Sequence, residues 1–251
     1  MATKRQKIII TGASSGLGKQ MAIEFAKQGR ELALSARRLD RLETLKADLE
    51  RTYPNCKVHV AALDVTDFEA VFEVFGHFDR TMGGVDRVVV NAGMMAGGRI
   101  GRGKFAANAL TVQTNATAAL AQCEAALDIF RRQESGHLVM MSSMSAFRGL
   151  AKYLTTYAAT KKFVAHLMEG IRADLIGSKI RASTIYPGFI RTELNEGAGH
   201  MLFEIDQKTG GRLLRKAIET ERSEACVPWW PWAPMSLIMM YAPLSLIRRM
   251  M

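Results

Sequence analysis

The sequence predicts an α/β fold, a doubly wound parallel sheet with helices on both faces, in one domain spanning residues 1–251. Three observations predict it. Short apolar runs alternate with helix-like stretches along the chain, the pattern of parallel strands joined by right-handed crossovers. A glycine-rich turn, Thr11 to Gly18, joins the first apolar run to the first helix. Thr11-Gly12, Asn91-Ala92-Gly93, Ser142-Ser143 and Pro187-Gly188 all fall at carboxyl ends of predicted strands, the edge where such sheets bind ligands.

The elements follow in order. Lys7 to Thr11 reads as a buried strand, and the helix after the glycine turn runs to about Gln28. Glu31 to Ala36 is a second strand. Asp40 to Arg51 is a helix with Leu42, Leu45 and Leu49 on one side. Val58 to Leu63 is a third strand, and Asp67 to Thr81 a helix opened by an aspartate cap. Val85 to Val90 is a fourth strand, its valine run suited to burial on both faces. Thr111 to Arg132 is expected as one long helix, His137 to Met141 as a strand, Thr156 to Ile176 as a helix and Ile180 to Tyr186 as a strand. A further helix is expected from about Gly211 to Glu221, its basic residues Arg212, Arg215 and Lys216, with Arg222, on a solvated face.

The turn Thr11-Gly12-Ala13-Ser14-Ser15-Gly16-Leu17-Gly18 lets the backbone turn tightly and approach a pyrophosphate at a helix N-terminus, as in a Rossmann-type fold. Its spacing is not that of a P-loop, because Gln20 rather than Ser or Thr follows Lys19, which argues against phosphoryl transfer. The end of the second strand selects the dinucleotide. An acid there suits the ribose hydroxyls of NAD, and a basic residue suits a 2′-phosphate. The segment is Ser35-Ala36-Arg37-Arg38, with no acid. It predicts NADP(H) rather than NAD(H), with Arg37 as the main phosphate ligand assisted by Arg38 and Ser14.

A proton-transfer set lies further along. Tyr157-Ala-Ala-Thr-Lys161 puts a phenol and an ammonium on one helical face. A lysine cation beside the phenol is expected to pull it down from about 10 toward a useful acid/base range. Ser143 and Asn115 are polar residues in otherwise apolar stretches ahead of that helix.

Composition bounds the alternatives. The net charge of +10, from 34 basic and 24 acidic residues, is read as a solvated basic surface. No compact basic run interleaved with aromatics appears, so nucleic-acid binding is not expected. The 3 cysteines, Cys56, Cys123 and Cys226, and the 5 histidines are scattered. No metal site and no disulfide framework are expected, in keeping with a reducing cytoplasm. Met1 to Lys7 is polar and Ile8 to Ile10 is too short for a signal-peptide core, so export is not expected.

Taken together the motifs resemble the short-chain dehydrogenase/reductase family in its single-domain branch, from about Lys7 to Thr192. Thr11-Gly12-x-x-x-Gly16-x-Gly18 resembles its cofactor loop, Ser14, Ser15 and Leu17 included. Asp64-Val65 resembles its adenine-contacting pair and Asn91-Ala92-Gly93 its N-A-G motif. Asn115 resembles its mid-helix asparagine, and Ser143, Tyr157 and Lys161 its catalytic set. Pro187-Gly188-Phe189-Ile190-Arg191-Thr192 resembles the P-G-x-x-x-T segment at the nicotinamide end, with Pro187, Gly188, Ile190 and Thr192 in contact. The resemblance implies that Tyr157 exchanges a proton with a carbonyl oxygen that Ser143 hydrogen-bonds. It implies that Lys161 holds the nicotinamide ribose and that Asn115 positions a water. The interval from Ser143 to Tyr157 is slightly longer than is commonest, so Ser142 and Ser145 stay open for the serine role.

After Thr192 such proteins differ most. Residues 193–222 are the expected substrate lid, with Leu194, Met201, Leu202 and Phe203, and Met94 and Met95 from the N-A-G side, available to line a pocket. Residues 227–251 form an apolar tail with Trp229, Trp230, Trp232 and Tyr241, uncharged from Val227 to Ile247. Its prolines argue against a straight membrane span. Packing in the core or in a dimeric or tetrameric homo-oligomer is preferred over shallow insertion at a bilayer. With the arginine pair, the resemblance implies hydride transfer between NADP(H) and a carbonyl or alcohol of ketone or 3-oxoacyl type, and the apolar tail suggests that this substrate is bulky and apolar. The alternative is a noncatalytic NADP(H) sensor or membrane-surface scaffold on the same fold.

Overall fold

The computed structural model describes residues 5–193, 199 and 201–250, with the side chains of 248–250 left aside. Its strands are β1 (Lys7–Thr11), β2 (Glu31–Ala36), β3 (Val58–Ala62), β4 (Arg87–Val90), β5 (Gly136–Met141), β6 (Ile180–Pro187) and β7 (Glu224–Val227). They form one 7-stranded sheet in the order β3-β2-β1-β4-β5-β6-β7, and every pairing is parallel. The order reverses between β1 and β4, so the crossovers on either side leave a crevice there, at the strands' carboxyl ends.

Strand pleating divides the core into two layers. Ile9, Val88, Val90, Leu138 and Met140 face α3 (Phe68–Met82), α5 (Ala118–Gln133) and α6 (Leu154–Asp174). Ile8, Ile10, Val89, Val139 and Met141 face α1 (Gly16–Ala26), α2 (Leu39–Thr52) and α7 (Gln207–Glu219). Each of these side chains contributes about 1.5–3 kcal/mol on full burial, so neither face can be left open. The predicted aspartate cap is present: Asp67 accepts the Ala70 N–H at 3.1 Å.

Three elements differ from expectation. The predicted Thr111–Arg132 helix starts earlier, as α4 (Phe105–Val112), and passes through a π-helical turn at Gln113–Thr117 before α5. The apolar periodicity survives that turn, which is why the sequence reads as one helix. Strand β7 went unpredicted because only Val227 of its four residues is buried. The tail folds into α8 (Trp229–Tyr241) and α9 (Leu244–Met250). These close a third apolar cluster beyond the sheet edge, where Trp232, Met239 and Ile247 meet Met144, Leu150 and Tyr186. Arg148 pins the α8–α9 corner by donating to the carbonyls of Met240 at 3.1 Å and Ala242 at 3.0 Å.

The solvated basic surface is also only part of the charge. Arg5, Arg30 and Arg87 are buried, and Arg215, expected in solvent, pairs with Glu219.

Candidate active site

The carboxyl ends of β1 to β6 build the site. The Thr11 hydroxyl accepts the N–H groups of Asn91 and Ala92, both at 3.1 Å. Asn91 Nδ2 returns a bond to the Thr11 carbonyl at 2.9 Å. These bonds lock the glycine turn onto the end of β4. Gly12 sits at φ +65° with the Ala92 Cα 2.8 Å from where a Cβ would stand, so only glycine fits. No side chain caps α1 at Ser15, which leaves its first amides directed at the groove.

At the β2 end, Arg37 and Arg38 are exposed. Arg38 donates to Ser14 Oγ at 3.2 Å and Ser15 Oγ at 2.9 Å. Among the described residues Arg37 makes no hydrogen bond or ion pair; its charge acts on Asp64. Burial works to raise the Asp64 carboxyl, but Thr66 donors at 3.0 and 2.8 Å and the Arg37 charge hold it below its ordinary value. Glu193, at the start of the lid, lies 4.0 Å from Arg38 and 3.2 Å from Arg41.

At the β5 end Ser143, Tyr157 and Lys161 come together. Tyr157 shares a hydrogen bond with Ser143. Ser143 Oγ also accepts the Ser145 N–H at 3.1 Å, fixing the 3-10 turn Met144–Phe147. Ser142 also lines the cavity, but its hydroxyl donates to the Lys161 carbonyl at 2.8 Å. Ser145 lines the same cavity, and its buried hydroxyl has no hydrogen-bond partner among the described residues. Lys161 is buried, and its ammonium donates to the Met141 carbonyl at 2.9 Å. Burial pushes it down to about 8.

One expectation is corrected. Tyr157 is raised above its ordinary value, not lowered: burial dominates and the Ser143 hydrogen bond offsets only part of it. The ammonium lies 5.7 Å from the tyrosine ring centre and is bonded to a carbonyl, so it does not act on the hydroxyl in the expected way.

Asn115 sits in the π turn and is buried. π turns inside helices recur at functional sites. Its Oδ1 accepts the Met94 N–H and its Nδ2 donates to the Met94 carbonyl, both at 2.8 Å, with a further bond to Thr160 Oγ1 at 3.2 Å. Its side chain thus clamps the segment after Gly93, and Gly93 lies between Asn115 Oδ1 and Lys161 Nζ.

Lys161, Arg37 and the glycine turn share one cavity of about 860 Å³. Asp64, Val65, Pro187, Gly188, Ile190 and Thr192 also line it, so the expected nucleotide arm is continuous. Gly18 stands behind the lining, where a Cβ would lie 2.4 Å from the Gly12 carbonyl oxygen. Leu17 and Met201 line the cavity, as do Met94 and Met95, and Leu202 does so while partly exposed. Phe203 stacks edge-on against Trp232 at 6.1 Å, and Leu194 lies outside the described residues. The lid's neck is held by the Ile190–Ile205 bridge and an Arg191–Glu204 ion pair.

Sequence reading missed two contributors. The tail's inner residues Trp232, Met235, Met239 and Ile247 wall the cavity, and Trp232 lies against Gly188, its Nε1 2.1 Å from where a Cβ would stand. Asn108 joins Gly98 to Thr156 through bonds of 2.9–3.2 Å. The aromatic cluster at 229–232 was the available signal for the first. Nothing local marked the second.

This sheet order, with its glycine turn and a groove that holds a tyrosine and a lysine, defines a Rossmann-type fold. The chain belongs to the short chain dehydrogenase family, whose model matches residues 6–202. It is 49% identical over 245 residues to an uncharacterized oxidoreductase of Mycobacterium tuberculosis, covering 98% of this chain and 97% of that one. An uncharacterized oxidoreductase of Myxococcus xanthus is 35% identical over 222 residues, covering 88% and 87%. Among solved structures, a short-chain dehydrogenase from Sphingobium yanoikuyae in complex with NADPH superposes with a TM-score of 0.81. It is 25% identical, covering 97% of this chain and 94% of that one.

Proposed function

We propose that this protein is an NADP(H)-dependent oxidoreductase that reduces a bulky, apolar ketone or 3-oxoacyl compound, or runs the reverse alcohol oxidation. The observation that carries this is one continuous cavity with paired arginines and no strand-end acid at one end and the Ser143–Tyr157–Lys161 group at the other. A close-packed glycine turn and open helix amides fit a pyrophosphate. Arg37, with no hydrogen-bond partner among the described residues, fits a 2′-phosphate, with Arg38, Ser14 and Ser15 beside it. The NADPH complex of the Sphingobium yanoikuyae enzyme supports the same choice.

When bound, NADPH supplies the hydride that the carbonyl carbon accepts. Tyr157, protonated at neutral pH because burial raises it, gives its proton to the carbonyl oxygen, so ketone becomes alcohol. Ser143 hydrogen-bonds that oxygen and fixes its distance from the phenol. Lys161 holds the ribose, its ammonium 5.7 Å from the tyrosine ring centre. Asn115 keeps the Met94 peptide in place and so sets the wall beside Lys161, the role we assign it alongside the expected water. Exclusion of water falls to the methionine and tryptophan wall.

The exposed Leu120 and Phe163 on α5 and α6 support assembly with further copies, and the free cysteines support a reducing compartment. The test is NADPH oxidation against aliphatic ketones, acyl thioesters, steroids and quinones, repeated with NADH. Tyr157→Phe is expected to bind NADPH normally and lose turnover by about 10²–10⁴-fold. Retained turnover, or a clear NADH preference, overturns the reading.

A further inference from the structure

The tail has two faces. Its inner side chains wall the cavity, as above. Its outer face carries Trp229 at 68% exposure, Trp230 at 69%, Tyr241 at 82%, Leu237 at 56% and Leu244 at 61%. So dense an apolar patch is unusual on a free protein surface. Burying Trp232, Met239 and Ile247 fixes which residues face out, so the protein itself cannot cover this face without uncovering its pocket.

We propose that the outer face of α8 and α9 docks on an anionic lipid bilayer. Three observations select this occupant. Tryptophan and tyrosine, amphipathic rings suited to the headgroup level, make up its most exposed positions. No acidic residue follows Glu224, the chain then runs to Arg248 and Arg249, and the protein carries +10 overall. This charge is complementary to anionic lipid. Finally, α8 is kinked at the non-helical Trp230, and the straight part that follows reaches about 16 Å, short of the roughly 30 Å of a bilayer core. No helix among the described residues is long and apolar enough to cross a membrane. The contact is therefore shallow and lateral.

Docking is independent of the catalytic reading. If both hold, the helices that touch lipid on one side touch substrate on the other, and a lipid-dissolved carbonyl compound is the substrate class that this arrangement suits.

The chain supplies its own probe, since all 3 tryptophans, Trp229, Trp230 and Trp232, lie in this tail. The full-length protein is mixed with vesicles of phosphatidylcholine alone or with phosphatidylserine, and followed by co-sedimentation and tryptophan emission. The expected result is binding to the anionic vesicles, a blue-shifted emission, and weaker binding at raised salt. The variant Trp229→Ser/Trp230→Ser/Tyr241→Ser, none of whose positions lines the cavity, is expected to bind those vesicles on the order of tenfold or more weakly. It should keep wild-type NADPH binding and its oxidation rate with a water-soluble ketone. Failure of the wild type to bind vesicles, or unchanged binding by the variant, overturns the proposal. So does a variant that dissociates to a smaller species in sedimentation while the wild type ignores lipid, which would make this face a contact between copies. Loss of ketone turnover in the wild type would sink the catalytic reading and leave vesicle binding as it stands.

Discussion

Two buried cations sit at opposite ends of the sheet. Lys161, at the carboxyl end, reaches a single carbonyl, that of Met141, and forms no ion pair with a described residue. Arg87, at the amino end, lies within a network. Its Nε donates to His137 Nδ1 at 2.8 Å and its Nη2 meets Glu221 at 3.3 Å, a carboxylate also held by Arg5 at 2.9 Å. His137 in turn contacts Ser183 at 2.8 Å and is kept neutral by burial and the neighbouring guanidiniums. Burial pushes Arg87 down to about 10, with Glu221 opposing, so it stays charged. A buried charge with its counter-ion present belongs to the scaffold; one without is held ready for something that arrives. The difference separates stability from function by position on the strands.

Replacing each cation with methionine tests this most severely. Lys161→Met is expected to lower turnover by about 10²–10⁴-fold and yet raise stability at neutral pH, by on the order of 2 kcal/mol. The ammonium is buried at a penalty that methionine does not carry. Arg87→Met is expected to do the opposite, losing about 1–3 kcal/mol by leaving the buried His137 Nδ1 without its donor and Glu221 with Arg5 alone. Its folded fraction should show wild-type KM and kcat. Urea unfolding and steady-state kinetics on both variants check the pair. A Lys161→Met protein less stable than wild type breaks the comparison.

This contrast was only half legible in the sequence. Tyr157, Lys161 and the glycine turn announce themselves because their spacing is local: one helical turn, or one strand-to-helix junction. Arg87 and His137 do not, since their partner Glu221 lies far along the chain and at the end of a helix read as solvated. Asn115 could be singled out by type, but not its π turn, because apolar periodicity is blind to one extra residue in a turn. Ser143 was preferred for its place at the strand end, but sequence could not show that the Ser142 hydroxyl is taken up by the Lys161 carbonyl. The tail was recognised as apolar, yet a run of uncharged residues does not say which side chains turn toward a cavity and which away.

Arg37 extends the comparison to the surface, as a third cation with no bonded partner in the described chain. If the rule holds there too, Arg37→Ala should raise KM for NADPH by about 10–100-fold, the range of one or two charge-assisted hydrogen bonds. It should leave KM for NADH and overall stability nearly unchanged. Equal effects on the two dinucleotides would show that the guanidinium meets no 2′-phosphate. Arg38→Ala should do less to selectivity, because Arg38 is partly engaged with Ser14 and Ser15.

The mildest test varies only pH. In the free protein Lys161 loses its proton near pH 8, whereas Tyr157 is raised above its ordinary 10.0. Reductive kcat/KM, which reports the free protein, is expected to fall about tenfold per pH unit above roughly pH 8, with no earlier break from the tyrosine. A bound anionic dinucleotide favours the charged lysine, so the break in kcat should lie higher. Stability moves the other way. The lysine's folded value of about 8 lies below its ordinary 10.5, so between these the unfolded chain binds more protons and folding strengthens as pH rises. Over about pH 8 to 10, then, wild type should gain stability relative to Lys161→Met while losing activity. A parallel decline in both would mean that Lys161 has a counter-charge after all, and that the two ends of the sheet do not differ in kind.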